Sequence, residues 1–196
     1  HVYAFESTFM APLLTGGSIV FQTSQKGPDI IRTLGENKIT IFPAAPQMWE
    51  LFFDALIAKI KAQSMAKYRI FMFFLKAAPF LKACGFDFLV QKIFQPVHDV
   101  FGRQMRFFIS GGAPLKKEYF NYYRQMGFYI MEGYGLTETT GPIAIPYYKE
   151  AKAGAVGPPI PGNEVKIKNV NADGIGEIWL KGEAVMAGYF KNDDAN

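Results

Sequence analysis

Two short stretches of the chain combine the backbone freedom and side chains that a phosphate-bearing ligand needs. One is Ser110-Gly111-Gly112-Ala113-Pro114. The other is EGYGLTETTG, residues 132–141, which holds three glycines, three threonines, two glutamates and a tyrosine. Gly111 and Gly112 let the backbone approach a ligand closely and turn N–H groups toward an anion or a base edge. Gly133 and Gly135 free the chain on both sides of Tyr134, whose ring offers a face for a base to stack on. Thr137 presents a hydroxyl to a phosphate oxygen. Glu138 presents a hard carboxylate to Mg2+, which in nucleotide sites takes one or two carboxylates besides phosphates. Each feature alone has a plainer reading: a two-glycine turn commonly just joins a strand to a helix, and a threonine before a glutamate commonly starts one. Their joint placement after two apolar runs is what argues for an anion site.

The elements that must position these loops follow from the pattern around them. RFFI, SGGAP, a helix from about Leu115 to Met126, FYIM and EGYGLTE form a β-loop-α-loop-β-loop unit. If the two strands are parallel, both loops leave the sheet at its carboxyl edge, where ligands bind in open α/β sheets. If the strands are also neighbours, the loops stand a strand spacing or two apart.

Upstream, SIVFQ (18–22) follows Gly16-Gly17 and predicts a buried strand, and Pro28-Asp29 opens a short helix to about Gly35. TIFPA (40–44) predicts the next strand. Pro46 starts a helix through about Ala62, with Met48, Leu51, Phe52, Ala55 and Leu56 as its inner face. This alternation implies a parallel sheet.

Residues 64–101 break the rhythm as two or three Phe-rich helices, divided at Pro79 and near Gly85 and punctuated by Lys67, Lys76, Lys82 and Lys92. A helical insertion packed on the sheet is the main reading; a membrane-surface element and a lining for an aliphatic ligand are the alternatives. QMRFFI (104–109) resumes the sheet. Further on, EVKIKNV (164–170) and GEIWLKG (176–182) alternate in polarity around the turn NADG (171–174), which predicts an antiparallel hairpin.

The expected class is α/β: a mostly parallel sheet with flanking helices, part of a doubly wound subdomain, then a β-rich antiparallel segment. Residues 1–148 make the first part, with the insertion at about 64–101, and 149–196 begin the second.

Composition bounds the functions open to such a chain. Its 196 residues are 49% hydrophobic and 19% charged, which excludes a disordered chain. The 19 phenylalanines and 10 tyrosines are more than a core of this size usually needs, so an apolar ligand site or partner surface is open. A net charge of +4 helps attract an anion but is too small and dispersed to argue for nucleic acid. Cys84 is the only cysteine, so no disulfide closes within the chain and a reducing, cytoplasmic setting is the default, with peripheral membrane contact left open. With His1 and His98 the only histidines, a zinc site of His/Cys type is not expected. No apolar run reaches the eighteen or so residues of a membrane span.

SGGAPL followed by GYGLTETTG resembles the adenylate-forming, AMP-binding superfamily of acyl-CoA synthetases, luciferases and peptide-synthetase adenylation domains. VGPPIPGNEVKI (156–167), GEIWLKGEAVMAGYFKN (176–192) and HVYAF at the start resemble further blocks of the same family in order. IFPAAPQMWE and RFFISGGAPLKKEYF are most similar to long-chain fatty acyl-CoA synthetases.

The resemblance implies an AMP-producing ligase that forms carbon–sulfur bonds from a fatty acid, ATP and coenzyme A, with Mg2+. It implies that Gly111, Gly112, Ala113 and Pro114 border the adenine and the acyl carbonyl. Glu132, Gly133, Tyr134 and Gly135 belong to the nucleotide side, with Tyr134 stacking on adenine; Glu132 stands where many relatives carry glutamine. Thr137 contacts phosphates and Glu138 coordinates Mg2+, these two being the catalytic pair. His1, Gly135 and Leu136 lie at the acyl entrance.

Two alternatives stay open: transfer to an acyl carrier protein, and an inactive nucleotide-binding homologue. The family's phosphate loop and its C-terminal domain with a catalytic lysine have no counterpart here. The 196 residues are therefore expected to be the central piece of a longer protein and to have no ligase activity alone.

Overall fold

The computed structural model describes residues 2–196. Three short strands, Ile41–Ala44 (β1), Phe107–Ser110 (β2) and Ile130–Glu132 (β3), pair in parallel in the order β1-β2-β3. Phe108 stands opposite both Phe42 and Ile130, and Ser110 opposite both Ala44 and Glu132. β3 is buried throughout, as expected of a parallel strand packed between other elements.

The chain opens with one α-helical turn, Val2–Ala4 (α1), a π-helical stretch, Phe5–Met10, and another α-turn, Ala11–Leu14 (α2). Gly27–Glu36 (α3) precedes β1. The crossover from β1 to β2 holds three helices, Pro46–Gln63 (α4), Met65–Ala83 (α5) and Asp87–Val100 (α6), and that from β2 to β3 holds Lys117–Gln125 (α7). Tyr134–Leu136 (β4) and Gly141–Ala144 (β5) form an antiparallel pair, as do Asn163–Lys168 (β6) and Glu177–Gly182 (β7).

Aromatic packing holds the sheet to its helices. Trp49 of α4 is fully buried, its ring centred 4.7 Å from Phe108, 5.4 Å from Phe42 and 5.8 Å from Tyr123. Tyr123 of α7 is buried too, and its hydroxyl donates to the Trp49 carbonyl at 2.8 Å. Burying such rings supplies much of the favourable free energy of a domain this size.

The parallel α/β sheet, the three-residue neighbourhood of β2 and β3, and the β6–β7 hairpin follow the sequence pattern. Four expectations do not. SIVFQ is not a strand: residues 17–26 join no ladder, and Phe21 is 76% exposed, so its β-branched character finds no partner edge among the described residues.

The inner face of α4 is Trp49, Phe52 and Phe53 rather than Leu51 and Ala55; Leu51 is 63% exposed. The sheet takes the ring-bearing side, because three large aromatics bury more apolar surface than leucine and alanine. α5 runs unbroken through Pro79 to Ala83, so the insertion is two helices divided near Gly85. Packing through buried Leu75 and Ala78 outweighs the roughly 3 kcal/mol an interior proline costs. Lastly, GYGLTETTG is not a loose loop but two strands around a short 3-10 turn, Thr137–Thr139.

Candidate functional site

Parallel pairing of neighbours delivers both loops to one edge of the sheet. Ser110 and Glu132 end their strands side by side, and the Gly133 amide donates to the Ser110 carbonyl at 2.9 Å. Beyond them the chain builds a cavity of about 240 Å3 between the first helical residues and the β4–β5 hairpin. Gly112, Gly133, Tyr134, Gly135 and Leu136 line it on one side, and Val2, Tyr3, Glu6, Ser7 and Ala11 on the other. The walls are mostly apolar, with Ile109, Pro142 and Ile145 completing them.

The two glycines of SGGAP do different work. A Cβ at Gly111 would lie 2.6 Å from the Tyr3 ring, so this glycine makes room for a tyrosine rather than for a ligand. The Tyr3 hydroxyl donates to the Ile109 carbonyl at 2.9 Å, with the Ala44 carbonyl at 3.3 Å, and burial pushes its pKa far above the usual tyrosine range. Gly112 is exposed, has φ +83° and has nothing within 4 Å of where a Cβ would sit. It alone of the pair opens backbone to the cavity. Ala113 and Pro114 are exposed and do not line it.

Glu132 is buried beneath this edge. Its carboxylate accepts from the Leu115 amide at 3.1 Å and the Gly154 amide at 3.1 Å. It thus ties the end of SGGAP to the segment after β5. A charged acceptor for two backbone donors satisfies groups that burial would otherwise leave unpaired.

The hairpin owes its closeness to Gly135. A Cβ there would lie 1.9 Å from the Gly141 carbonyl oxygen. Thr139, buried and not nominated from the sequence, clamps the turn: its hydroxyl accepts from the Leu136 amide at 2.9 Å and faces the Leu136 and Gly141 carbonyls at 3.0 Å each. Thr140 takes the left-handed region at φ 55°. Thr137 is left exposed at the tip.

Glu138 does not line the cavity. Its carboxylate accepts a short hydrogen bond from the Tyr189 hydroxyl, and its carbonyl accepts from the Met186 amide at 2.8 Å. Thr140 Oγ1 donates to the Ala184 carbonyl at 2.9 Å. Residues 184–189 thus form a strap across the TETT turn. The Tyr189 hydroxyl, joined by Glu138's own backbone, holds the Glu138 carboxyl below its ordinary range, and the same bond pushes the Tyr189 pKa up.

An ionised, partly exposed single carboxylate suits a cation that takes most of its oxygens from phosphates. No group of three or more His, Cys, Asp or Glu able to hold a metal occurs among the described residues. The single carboxylate therefore fits Mg2+ carried in with a nucleotide.

Of the nominated residues, Gly112, Gly133, Tyr134, Gly135 and Leu136 come together; Gly111, Glu132, Ala113 and Pro114 surround or support them; Thr137 and Glu138 stand on the adjoining turn. His1 lies outside the described residues. Tyr3, Glu6 and Ser7 were missed, although their i, i+3, i+4 spacing marks one helical face. A second, open cleft of about 640 Å3 lies at the opposite, amino edge of the strands, between Phe88, Arg106 and Tyr148, and holds none of the nominated residues.

A profile of the family described as AMP-binding enzyme matches residues 1–190. The long-chain-fatty-acid–CoA ligase FadD15 of Mycobacterium bovis is 32% identical over 182 residues, covering 85% of this chain and 29% of that enzyme. Long chain acyl-CoA synthetase 3 of Arabidopsis thaliana is 28% identical over 184 residues, covering 84% of this chain and 27% of its own length. The chain thus spans less than a third of these relatives.

Among solved structures, the N-terminal domain of FACL13 from Mycobacterium tuberculosis superposes with a TM-score of 0.67 at 18% identity, over 100% of this chain and 41% of that one. The O-succinylbenzoate coenzyme A synthetase of Bacillus subtilis, in complex with ATP and magnesium ion, gives 0.64 at 20% identity, over 100% and 34%. At these identities the likeness is one of fold.

Proposed function

The chain belongs to the AMP-binding enzyme family, and we propose from that premise that it is the central part of an ATP-dependent long-chain fatty acid:CoA ligase. The observation that carries this reading is the meeting of SGGAP and GYGLTE at one mostly apolar cavity on the carboxyl edge of a parallel sheet. The long-chain substrate class rests on the resemblance to the relatives above, and an apolar wall suits an aliphatic tail, each buried methylene contributing about 0.8 kcal/mol.

In this reading residues 1–148 are part of the adenylate-binding subdomain and 149–196 start a β-rich one. Gly112 and Gly133 bring backbone to the base, with Gly111, Ala113 and Pro114 shaping the loop and Glu132 bracing it from behind. Tyr134 supplies the stacking face. Gly135 and Leu136, with His1, border the acyl entrance.

A substrate carboxylate, already ionised at neutral pH, attacks the α-phosphorus of ATP. A carboxyl O–P bond forms, the bond to the β-phosphate oxygen breaks, and pyrophosphate leaves. A thiol of coenzyme A then attacks the acyl carbonyl, and AMP departs. Catalysis of the first step consists largely of alignment and stabilisation of gathered negative charge. In this reading the exposed Thr137 hydroxyl would donate to a phosphate oxygen and the Glu138 carboxylate would hold Mg2+, which would supply positive charge to neutralise the phosphates.

The test is acyl-chain-dependent pyrophosphate release by the full-length protein, with coenzyme A or acyl carrier protein as acceptor. The expected result is release with long-chain acids and thioester formation on coenzyme A. Glu138→Ala is expected to slow adenylation about a hundredfold, the usual cost of removing one transition-state contact. Pyrophosphate release that ignores Glu138→Ala at limiting Mg2+ removes that residue from the metal.

A further inference from the structure

We propose that Tyr189 is a positioning residue for the metal ligand: its hydroxyl fixes the Glu138 carboxylate so that one oxygen stays presented to the Mg2+ that accompanies a nucleotide. The inference rests on the ligase reading above, since Tyr189 meets the metal only through Glu138.

A glutamate on a turn is a loose ligand by itself. Its three side-chain torsions, the last of them broad, let the carboxylate swing, and ordering such a side chain costs up to about 2 kcal/mol. Glu138 is half-buried on the Thr137–Thr139 turn, and the Tyr189 hydroxyl donates to its Oε1. Its Oε2 accepts no hydrogen bond from another of the described residues. One oxygen is thus tied down while the other remains for a cation.

Tyr189 is itself held in place. Its amide donates to Asn196 Oδ1 at 2.6 Å, and its carbonyl accepts from Asn196 Nδ2 at 3.1 Å. A Cβ at Gly188 would lie 2.8 Å from that Oδ1, and φ there is +139°, so a glycine lets Asn196 close on the tyrosine backbone. On the other side, the Met186 amide and the Ala184 carbonyl bond the Glu138 carbonyl and the Thr140 hydroxyl. The hydroxyl–carboxylate contact therefore joins two anchored segments, unlike a surface pair that must order two mobile side chains for itself.

Ligating carboxylates are commonly held by such outer partners, whose loss costs about ten- to a hundredfold in metal affinity or activity. Tyr189 is 42% exposed, so water replaces part of its bond when the hydroxyl is removed, and the low end of that range is expected.

Mn2+ binding by the full-length protein tests the inference, with Mn2+ as a paramagnetic stand-in for Mg2+ and a non-hydrolysable ATP analogue present, followed by electron paramagnetic resonance. Tyr189→Phe is expected to raise the Mn2+ dissociation constant about tenfold. The affinity for the analogue in EDTA should stay at the parent's value, which separates ligand positioning from a merely structural role. Glu138→Ala should weaken Mn2+ binding at least as much. Adding Tyr189→Phe to it should cost nothing further, because both changes remove one interaction.

The inference alone is overturned, and the ligase reading kept, if Glu138→Ala weakens Mn2+ binding while Tyr189→Phe binds as the parent does. The same holds if Tyr189→Phe loosens the analogue equally in EDTA, or if the effects of the two substitutions add. Mn2+ binding that ignores Glu138→Ala takes the metal role from both residues. A parent protein that binds neither the analogue nor Mn2+ overturns the ligase reading and this inference with it.

Discussion

The two sides of the cavity edge are held by different physics. On the sheet side, β1 to β3 and α4 to α7 bury Trp49, Phe108, Tyr123 and Ile130 completely or nearly so. On the hairpin side, no residue after Ala151 belongs to the buried core. Ile167 is 52% exposed, Ile178 44% and Trp179 50%, and Lys168 lies over the Trp179 ring at 3.7 Å. This half reaches the site through hydrogen bonds: the strap across the TETT turn, the Gly154 amide donating to buried Glu132 at 3.1 Å, and Ile160 donating to the Ile143 carbonyl at 2.8 Å. The difference teaches that the SGGAP loop is fixed by a dry core while Glu138 is set by contacts open to water. Core packing resists perturbation by kilocalories; surface hydrogen bonds respond to pH and single atoms.

Breaking the core should therefore give the largest effect. Trp49→Ala is expected to cost about 3–5 kcal/mol in chemical denaturation. A loss under 1 kcal/mol would mean that the aromatic cluster does not hold the sheet. Next comes Glu132→Ala, which strips the Leu115 and Gly154 amides of their acceptor and is expected to cost about 2 kcal/mol, as buried unpaired donors do. Glu132→Gln keeps one carbonyl oxygen and should cost about half as much. Equal losses for the two would show that the carboxylate matters by its charge and not by its two acceptors.

A third effect lies on pH. His98 stacks on Phe128 at 4.0 Å, its Nε2 donates to the Met126 carbonyl at 2.8 Å, and burial holds its pKa below the ordinary histidine value. A depressed folded pKa means that the unfolded chain takes up the proton first as pH falls. Stability should thus be full above about pH 6.5 and decline as pH drops toward the depressed folded value. His98→Phe should flatten that slope, read from urea midpoints between neutral and mildly acidic pH.

The smallest effect belongs to the hairpin side. Tyr189→Phe is expected to leave the unfolding midpoint unmoved and to raise the Glu138 carboxyl toward its ordinary range, read by carboxyl NMR titration. With the tyrosine present, the contact should persist above the ordinary carboxylate pKa and be lost as pH falls through the depressed one. An unmoved Glu138 titration in Tyr189→Phe would take the strap out of the site.

How much of this was legible in the sequence depends on how local its cause is. Parallel strands, their adjacent loops and the NADG hairpin follow from runs and turns a few residues long, and the structure contains them. The loop residues Gly112, Gly133 and Tyr134 could be nominated because their backbone freedom and chemistry are intrinsic to the residue type. SIVFQ misled because a strand exists only with a partner, which no local pattern supplies. Leu51 misled because two helical faces of α4 were apolar and only the fold chooses between them. Gly111 looked like a ligand-facing glycine, yet Tyr3, more than a hundred residues away, occupies the space beside it. Thr139 and Tyr189 were invisible for the same reason, since their roles are contacts made after folding.

The 1.9 Å that would separate a Gly135 Cβ from the Gly141 oxygen sets a rule for anyone redesigning this pocket. Backbone against backbone cannot yield, so a mutant library that randomises position 135 spends nearly all its members on unfoldable hairpins. Ser7 and Ile145 line the same cavity from outside the β4 and β5 strands, so side-chain changes there reshape its wall without opposing backbone to backbone.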